Sequence, residues 1–419
     1  MSQPRRAAIR IVRVLQEHGY QAYLAGGCVR DRLLGATPKD YDVATDARPD
    51  AVRSLFHKTQ YVGEAFGVVL VYLLQSQIEV AVFRREWDYQ DGRRPLHVAF
   101  SDAEHDAQRR DFTINGLFED PISGRVIDYV AGRTDLEAKV LRAIGNADER
   151  LGEDYLRMLR AVRFAADLDL SIHDDTQRAI RQHASNLAQI SRERTGQEVR
   201  AMLTGPRPAV ACELLAQLQL DAPALNEPHV QAILSTLAHL PGEASYAAHL
   251  GAWALDRHLT PHKSRQDAFA RHVATFVTDQ VPDILRRWRR ALCMNNDDRD
   301  ALGWILKLLP QALEWDELSL SRRKRLLSRE QWPQVLALLA AIDRPAVCDL
   351  ALRIREDVGP LMAQGVAPPA LVTGDDLIRM GRKPGPEFGR LLHKVYDAQL
   401  EGRFTTRDQA IRWLRQILQ

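Results

Sequence analysis

At 419 residues the chain exceeds a single hydrophobic core and points to two or three domains. Hydrophobic residues at 45% and charged residues at 27% exclude a disordered chain. No apolar run approaches the roughly 20 residues of a membrane span. The net charge of +2 by itself gives little support for a nucleic-acid partner. The arginine clusters LRRWRR (285–290) and SRRKR (321–325) leave two readings open, a solvated helix face or contact with RNA phosphates.

The basic N-terminus reads as an amphipathic helix over residues 7–18, without the apolar core of a signal peptide, so a cytoplasmic protein is expected. A short apolar strand at 22–24 leads into two glycines, and further strands are expected at 41–44, 68–74 and 78–83. Residues 63–67 and 91–92 carry turn signals. After about Gly152 strand signals disappear and helical spacing dominates. Breakers recur at 205–208, 227–228, 241–242, Pro261, Pro282 and Pro310, and a last helical block starts near Thr373. The expected fold is an α/β head followed by an all-helical body. Four well-separated cysteines, Cys28, Cys212, Cys293 and Cys348, suggest neither zinc nor disulfides but reduced, mostly buried thiols.

Four constellations carry chemistry. In GGCVRD (26–31), glycines after a strand allow close approach to a polyanion, and Arg30 supplies a forked donor to phosphate oxygens. Asp40 and Asp42 flank Tyr41, so strand alternation turns both carboxylates to one face, where they can hold Mg²⁺. Glu79, in the apolar strand QIEVAVF, is the candidate third carboxylate. In DAQRRDFTINGL (106–117), Asp111 reads as a helix N-cap and Arg110 as a triphosphate contact. In GRTDLEAKVLRAIG (132–145), the glycine and aspartate read as structural.

The fourth, EDYLRMLRAVRFA (153–165), reads as one helix on which Asp154 and Arg157 project together, with Arg160 and Arg163 continuing in steps of three. A carboxylate and a guanidinium so placed can read a base edge. Cytosine and adenine each carry an amine beside a ring acceptor, so one pair could serve both. The alternative for this helix alone is an i, i+3 ion pair with solvated arginines.

Together with SRERTGQEV (191–199), these elements resemble the class II CCA-adding enzymes and bacterial poly(A) polymerases of the nucleotidyltransferase superfamily, over about residues 23–203. The resemblance implies a head with about five strands in a mixed sheet, then a helical neck, body and tail. The expected bounds are 1–145, 146–205, 206–370 and 371–419, the tail binding tRNA. It implies Mg²⁺, CTP and ATP, the tRNA 3′ end, and no nucleic-acid template. Carried over by residue, Asp40 and Asp42 bind metal, with Glu79 beside them. Gly27, Arg30 and Arg110 contact nucleotide, and Asp154, Arg157, Arg160 and Arg163 select it. The segment FRREWDYQDGRRP (83–95) corresponds to the family's flexible specificity loop. Its ordinary length disfavours CC-only addition, and the absence of a basic C-terminal extension tilts against poly(A) synthesis. The expected function is addition of C, C and A to tRNA, with A-only addition and poly(A) synthesis as alternatives. A non-catalytic RNA-binding protein is a more distant one. Nothing in the sequence requires a membrane or an obligate protein partner.

Overall fold

The computed structural model describes residues 2–62, 67–90, 94–259 and 266–418. They form two compact units, one of residues 1–202 and 210–230, the other of 203–209 and 231–419.

In the first unit, helix α1 (Gln3–Glu17) buries Ala7, Ala8, Ile11, Val12 and Leu15, a stripe at helical spacing, against the sheet. Next come β1 (Ala22–Ala25), α2 (Gly27–Leu33), β2 (Asp42–Thr45) and α3 (Pro49–Leu55). Then follow β3 (Thr59–Val62), β4 (Val68–Leu73) and β5 (Ser76–Val82). A hairpin of β6 (Arg84–Gln90) and β7 (Arg94–Phe100) leads to α4 (Ala103–Gln108), β8 (Leu117–Glu119) and β9 (Val126–Asp128). The main sheet has seven strands in the order β3-β4-β5-β2-β1-β8-β9. It is mixed as expected, with β2 and β5 its parallel pair. The sheet has two strands more than the resemblance implies, and β3, β8 and β9, of four, three and three residues, are too short to have shown alternation.

Alternation divides the sheet into two faces. Val43, Ile78 and Val80 join α1 in one core, while Ala25, Ala44, Phe83 and Phe118 pack under α4 in another. Asp42 and Glu79 belong to the second face. The turn signal at 91–92 and most of that at 63–67 fall outside the described residues. The segment expected as a flexible loop is, where described, the β6–β7 hairpin.

Helices then predominate: α5 (Gly132–Glu137), α6 (Ala147–Glu153), α7 (Leu156–Leu168), α8 (Asp174–His183) and α9 (Arg192–Leu203). One strand pair persists beyond the expected boundary, β10 (Val140–Leu141) alongside β11 (Ser171–Ile172). Gly132 has a packing reason: a Cβ there would lie 2.2 Å from the Thr113 carbonyl oxygen. Asp135 accepts from Thr113 Oγ1 at 2.7 Å, so this segment is structural, as read.

The described part of the second unit is helical. Trp253 packs on Trp288 and Trp315 stacks on Trp332 in its interior. Pro310, expected to end a helix, lies inside Asn296–Leu313. Buried Leu306, Leu309 and Leu313 on either side outweigh the backbone bond it removes. Thr373 caps the tail's first helix with a capping box. Both arginine clusters are partly tied into the fold: Arg286 and Arg287 pair with Asp283, Arg323 with Asp357 and Arg325 with Asp397. The four cysteines are unbridged thiols. Cys28 and Cys212 are buried, but Cys293 is exposed and Cys348 half-buried.

Candidate active site

Gly26 ends β1 with φ 68°, a conformation that glycine adopts without strain, and its N–H donates to the Leu117 carbonyl at 2.9 Å. A Cβ there would lie 2.8 Å from Arg110 Nη1, so backbone and guanidinium approach closely. From α2, Arg30 turns inward. Its Nη1 donates to Asn115 Oδ1 at 2.6 Å, and its Nε and Nη2 donate to Asp31 at 2.8 and 2.6 Å. Arg110 donates to Asp106 and to the Asn115 carbonyl. Burial works against ionisation of Asp106, yet Arg110 and Arg109 hold its carboxyl below the ordinary value.

Asp111 is not a helix N-cap. The chain after it makes a single 3-10 turn (Thr113–Asn115), whose own cap position is Phe112. The Asp111 carboxylate accepts from the Phe112 N–H at 2.8 Å, from Asn115 Nδ2 at 3.0 Å and from Arg160 Nε at 2.9 Å. Burial pushes this carboxyl up, but the charge and hydrogen bonds of Arg160, with help from Asn115 and Arg157, pull it down to about 2.

Of the three expected metal-site carboxylates, Asp42 alone lines the cavity described below. Asp42 and Glu79 are direct neighbours in the parallel register of β2 and β5, and Asp40 stands just before the strand. Asp42 is open to solvent at the cavity. Crowding by protein atoms and the charges of Glu79 and Asp40 nonetheless raise it to about 6, against the opposing charge of Arg110. None of the three carboxylates receives a hydrogen bond from a described residue. Adjoining carboxylates without a hydrogen-bond donor suit a cation. Among the described residues, no three His, Cys, Asp or Glu side chains converge closely enough to hold an ion alone. An ion here would take one or two carboxylates and complete its shell with water and substrate oxygens, as Mg²⁺ commonly does.

The expected single helix over 153–165 is broken. Helix α6 ends at Glu153, Asp154 is extended (φ −149°, ψ 103°), and α7 begins at Leu156. Asp154 itself makes the break, its Oδ1 accepting from the Leu156 N–H at 3.0 Å. Asp154 and Arg157 therefore form no i, i+3 pair. Asp154 is held by Arg194 of α9, at 2.6 Å from Nη2 to Oδ2 and 3.3 Å from Nη1 to Oδ1. Arg157 is held by Glu153, the Arg150 carbonyl at 2.6 Å and the Arg109 carbonyl at 3.2 Å. Arg163 Nε donates to Glu198 of α9 at 2.7 Å, and Arg160 lies 3.8 Å from the same carboxylate. Phe164 sits among Arg30, Arg160 and Arg163, their guanidinium carbons 5.2, 5.0 and 4.4 Å from its ring centre.

One cavity of about 610 Å³ is lined by seven arginines and three aspartates, Asp42, Asp111 and Asp154, whereas Asp40 and Glu79 do not line it. The excess positive charge, beside the exposed Asp42, is the electrostatics of a polyphosphate site that also admits a cation. All the expected nucleotide contacts, Gly27, Arg30, Arg110, Asp154, Arg157, Arg160 and Arg163, line it, as does Asp42. Arg109 and Arg194 line it without having been singled out. For Arg194 the available signal was the SRERTGQEV segment, which sequence alone could not place opposite Asp154.

The chain matches the family model described as the poly(A) polymerase head domain over residues 22–142. It also matches that of a probable RNA- and SrmB-binding site of polymerase A over 169–233. It is 37% identical over 407 residues to a CCA-adding enzyme of Geobacillus kaustophilus, covering 95% of this chain and 93% of that one. To the CCA-adding enzyme of Geobacillus stearothermophilus it is 35% identical over 424 residues, covering 99% and 97%. A crystal structure of the Bacillus stearothermophilus CCA-adding enzyme in complex with CTP superposes with a TM-score of 0.75 at 29% identity, covering 99% of this chain and 98% of the other.

Proposed function

The chain belongs to the CCA-adding enzyme family, and on that premise we propose how its cavity adds C, C and A to the 3′ end of tRNA. The reaction takes CTP and ATP and releases pyrophosphate without a nucleic-acid template. The observation that carries this reading is one cavity in which an arginine cluster meets the exposed Asp42 and the tethered Asp154.

The family's chemistry implies divalent metal ions, here read as Mg²⁺, held by Asp40 and Asp42 with Glu79 beside them. When bound there, such an ion would supply Lewis-acid chemistry to the attacking hydroxyl and to the departing pyrophosphate. Arg30 and Arg110 face the triphosphate with guanidinium donors, the glycines of 26–27 let backbone approach it, and Arg160 and Arg163 stand with Asp154 and Arg157 on the nucleotide-selecting face. Asp154 accepts from the exocyclic amine of cytosine or adenine. Arg157, with two of its five N–H groups uncommitted, donates to the ring acceptor. Holding both partners in place turns the attack into an oriented, effectively intramolecular step.

The divisions 1–145, 146–205, 206–370 and 371–419 serve as head, neck, body and tRNA-binding tail. A cytoplasmic location fits the substrate, and no described helix is long and apolar enough to cross a membrane. The test is to incubate purified protein with tRNAs ending at the discriminator base, in C or in CC, with CTP and ATP singly and together. Ordered completion to CCA is expected. Growth only on CC-ended tRNA would mark an A-adding enzyme, and open-ended A tails a poly(A) polymerase. No extension would sink the assignment.

A further inference from the structure

Among the described residues lining the cavity, Phe164 is the only aromatic one, set among seven arginines. It is 8% exposed, and the ring of Phe112 meets it nearly edge-on, at 82° and 6.0 Å between centres, which helps to fix its orientation. The guanidinium carbons of Arg30, Arg160 and Arg163 lie over this ring, at 5.2, 5.0 and 4.4 Å from its centre. Three like charges repel one another there, and the electron-rich faces of the ring offset that repulsion. Asp31, Asp111 and Glu198 do so in part. A carboxylate, however, holds a guanidinium by consuming its N–H groups, whereas a ring holds it by the face and leaves those groups in place. Arg163 shows the difference. It is nearest the ring, and its one hydrogen bond among the described residues runs from Nε to Glu198. Arg110 lies similarly over a second ring, that of Phe118, at 5.0 Å.

We propose that Phe164 is a positioning residue, whose ring seats Arg30, Arg160 and Arg163 with N–H groups to spare for the nucleotide. The inference rests on the reading of these arginines as nucleotide contacts. A further carboxylate at this place would serve worse, since it would compete with the phosphates for the same donors. An aliphatic side chain of similar volume would fill the space but leave three cations without a shared partner surface. They would then splay, or turn more N–H groups toward Asp31, Asp111 and Glu198. Either way the donors would have to be reorganised when the nucleotide arrives, and binding would weaken.

The experiment replaces Phe164 in the full chain with phenylalanines bearing an increasing number of ring fluorines, up to pentafluorophenylalanine, and separately with Leu. Fluorine withdraws electron density from the ring face and leaves its shape nearly unchanged, so the series varies the attraction for cations and little else. CTP and ATP binding are titrated directly, beside kcat/KM for each on one tRNA acceptor. Affinity for both nucleotides should fall stepwise along the series, on the order of tenfold for the pentafluoro ring, with Phe164→Leu at the same level. If Phe164→Leu fails to fold, the near-isosteric fluorine series decides. Fluorinating Phe112 changes the same aromatic pair, with no guanidinium over that ring among the described residues, and should leave nucleotide affinity as it is. Full affinity with every fluorinated ring at 164 would mean that the ring acts by shape, and the proposal fails. It fails equally if the change is confined to CTP or to ATP, which would set the ring against the base, or if fluorination at 112 weakens binding as much. Arg30→Ala and Arg163→Ala test the reading beneath it. Unchanged affinity in both overturns the nucleotide contacts, and the role of Phe164 falls with them. Weakened affinity in both, beside an indifferent fluorine series, overturns the role of Phe164 alone.

Discussion

Replacing Asp111 with Asn removes the partner of Arg160 in a site where little water can substitute, the Asp111 side chain being 10% exposed. Its carboxyl is held at about 2, against 3.8 for a free aspartate. Linkage converts that difference into about 2–3 kcal/mol of folding stability at neutral pH. Because the folded value is the lower one, the contribution is complete above the unfolded value and is lost as pH falls through the folded one. Roughly half should remain near pH 3. Asn has no proton to take up there, so the gap between wild type and Asp111→Asn should be widest at pH 7 and should close toward pH 2. Urea unfolding of both proteins at pH 7, 4 and 3 gives the gap at each pH, with peptide-resolved hydrogen exchange locating the change at α7. A gap under about 0.5 kcal/mol at pH 7, or one that does not move with pH, would refute an Asp111–Arg160 pair that stabilises the fold.

Asp40→Ala and Asp42→Ala should each abolish addition of both C and A while circular dichroism stays unchanged, since loss of metal ligation costs several kcal/mol in the transition state. Near-normal turnover at ordinary Mg²⁺ concentration would rule that assignment out. Deleting residues within 87–93 should impair A addition far more than C addition, and equal loss of both would assign the segment to folding or tRNA binding. Gly132→Ala should cost about 1–3 kcal/mol or more, because its Cβ would overlap the Thr113 carbonyl. Gly152→Ala, in α6 with nothing within 4 Å, should gain about 0.5–1 kcal/mol in the same denaturation assay.

What could be read in advance was whatever local periodicity encodes. Alternation in QIEVAVF separated Glu79 from its buried neighbours, but alternation around Tyr41 set Asp40 and Asp42 on one strand face, whereas β2 begins only at Asp42 and Asp40 lies before it. That Glu79 stands beside Asp42 depends on the register of β2 and β5, which are distant in sequence. The apolar spacing of Leu156, Leu159 and Val162 was legible as a helix, but it continues smoothly past the point where Asp154 breaks it. An aspartate before an apolar run reads equally well as a cap or as a helical residue, and only the Leu156 N–H decides. Arg194 was hidden for a related reason. Its partner lies 40 residues away, and no periodic pattern spans that distance. Pro310 shows the converse, a strong local signal overruled by burial on both sides.

The central claim is that side chains of this cavity, rather than a nucleic-acid template, choose the base. Its most direct test compares Asp154→Ala with Arg30→Ala, reading relative kcat/KM for CTP and UTP on one tRNA acceptor. Loss of CTP-over-UTP preference in Asp154→Ala, against an even loss for every nucleotide in Arg30→Ala, is the expected result. Lowered activity in Asp154→Ala with the CTP-to-UTP ratio unchanged would contradict the claim and leave Asp154 as a cap for α7 ion-paired to Arg194.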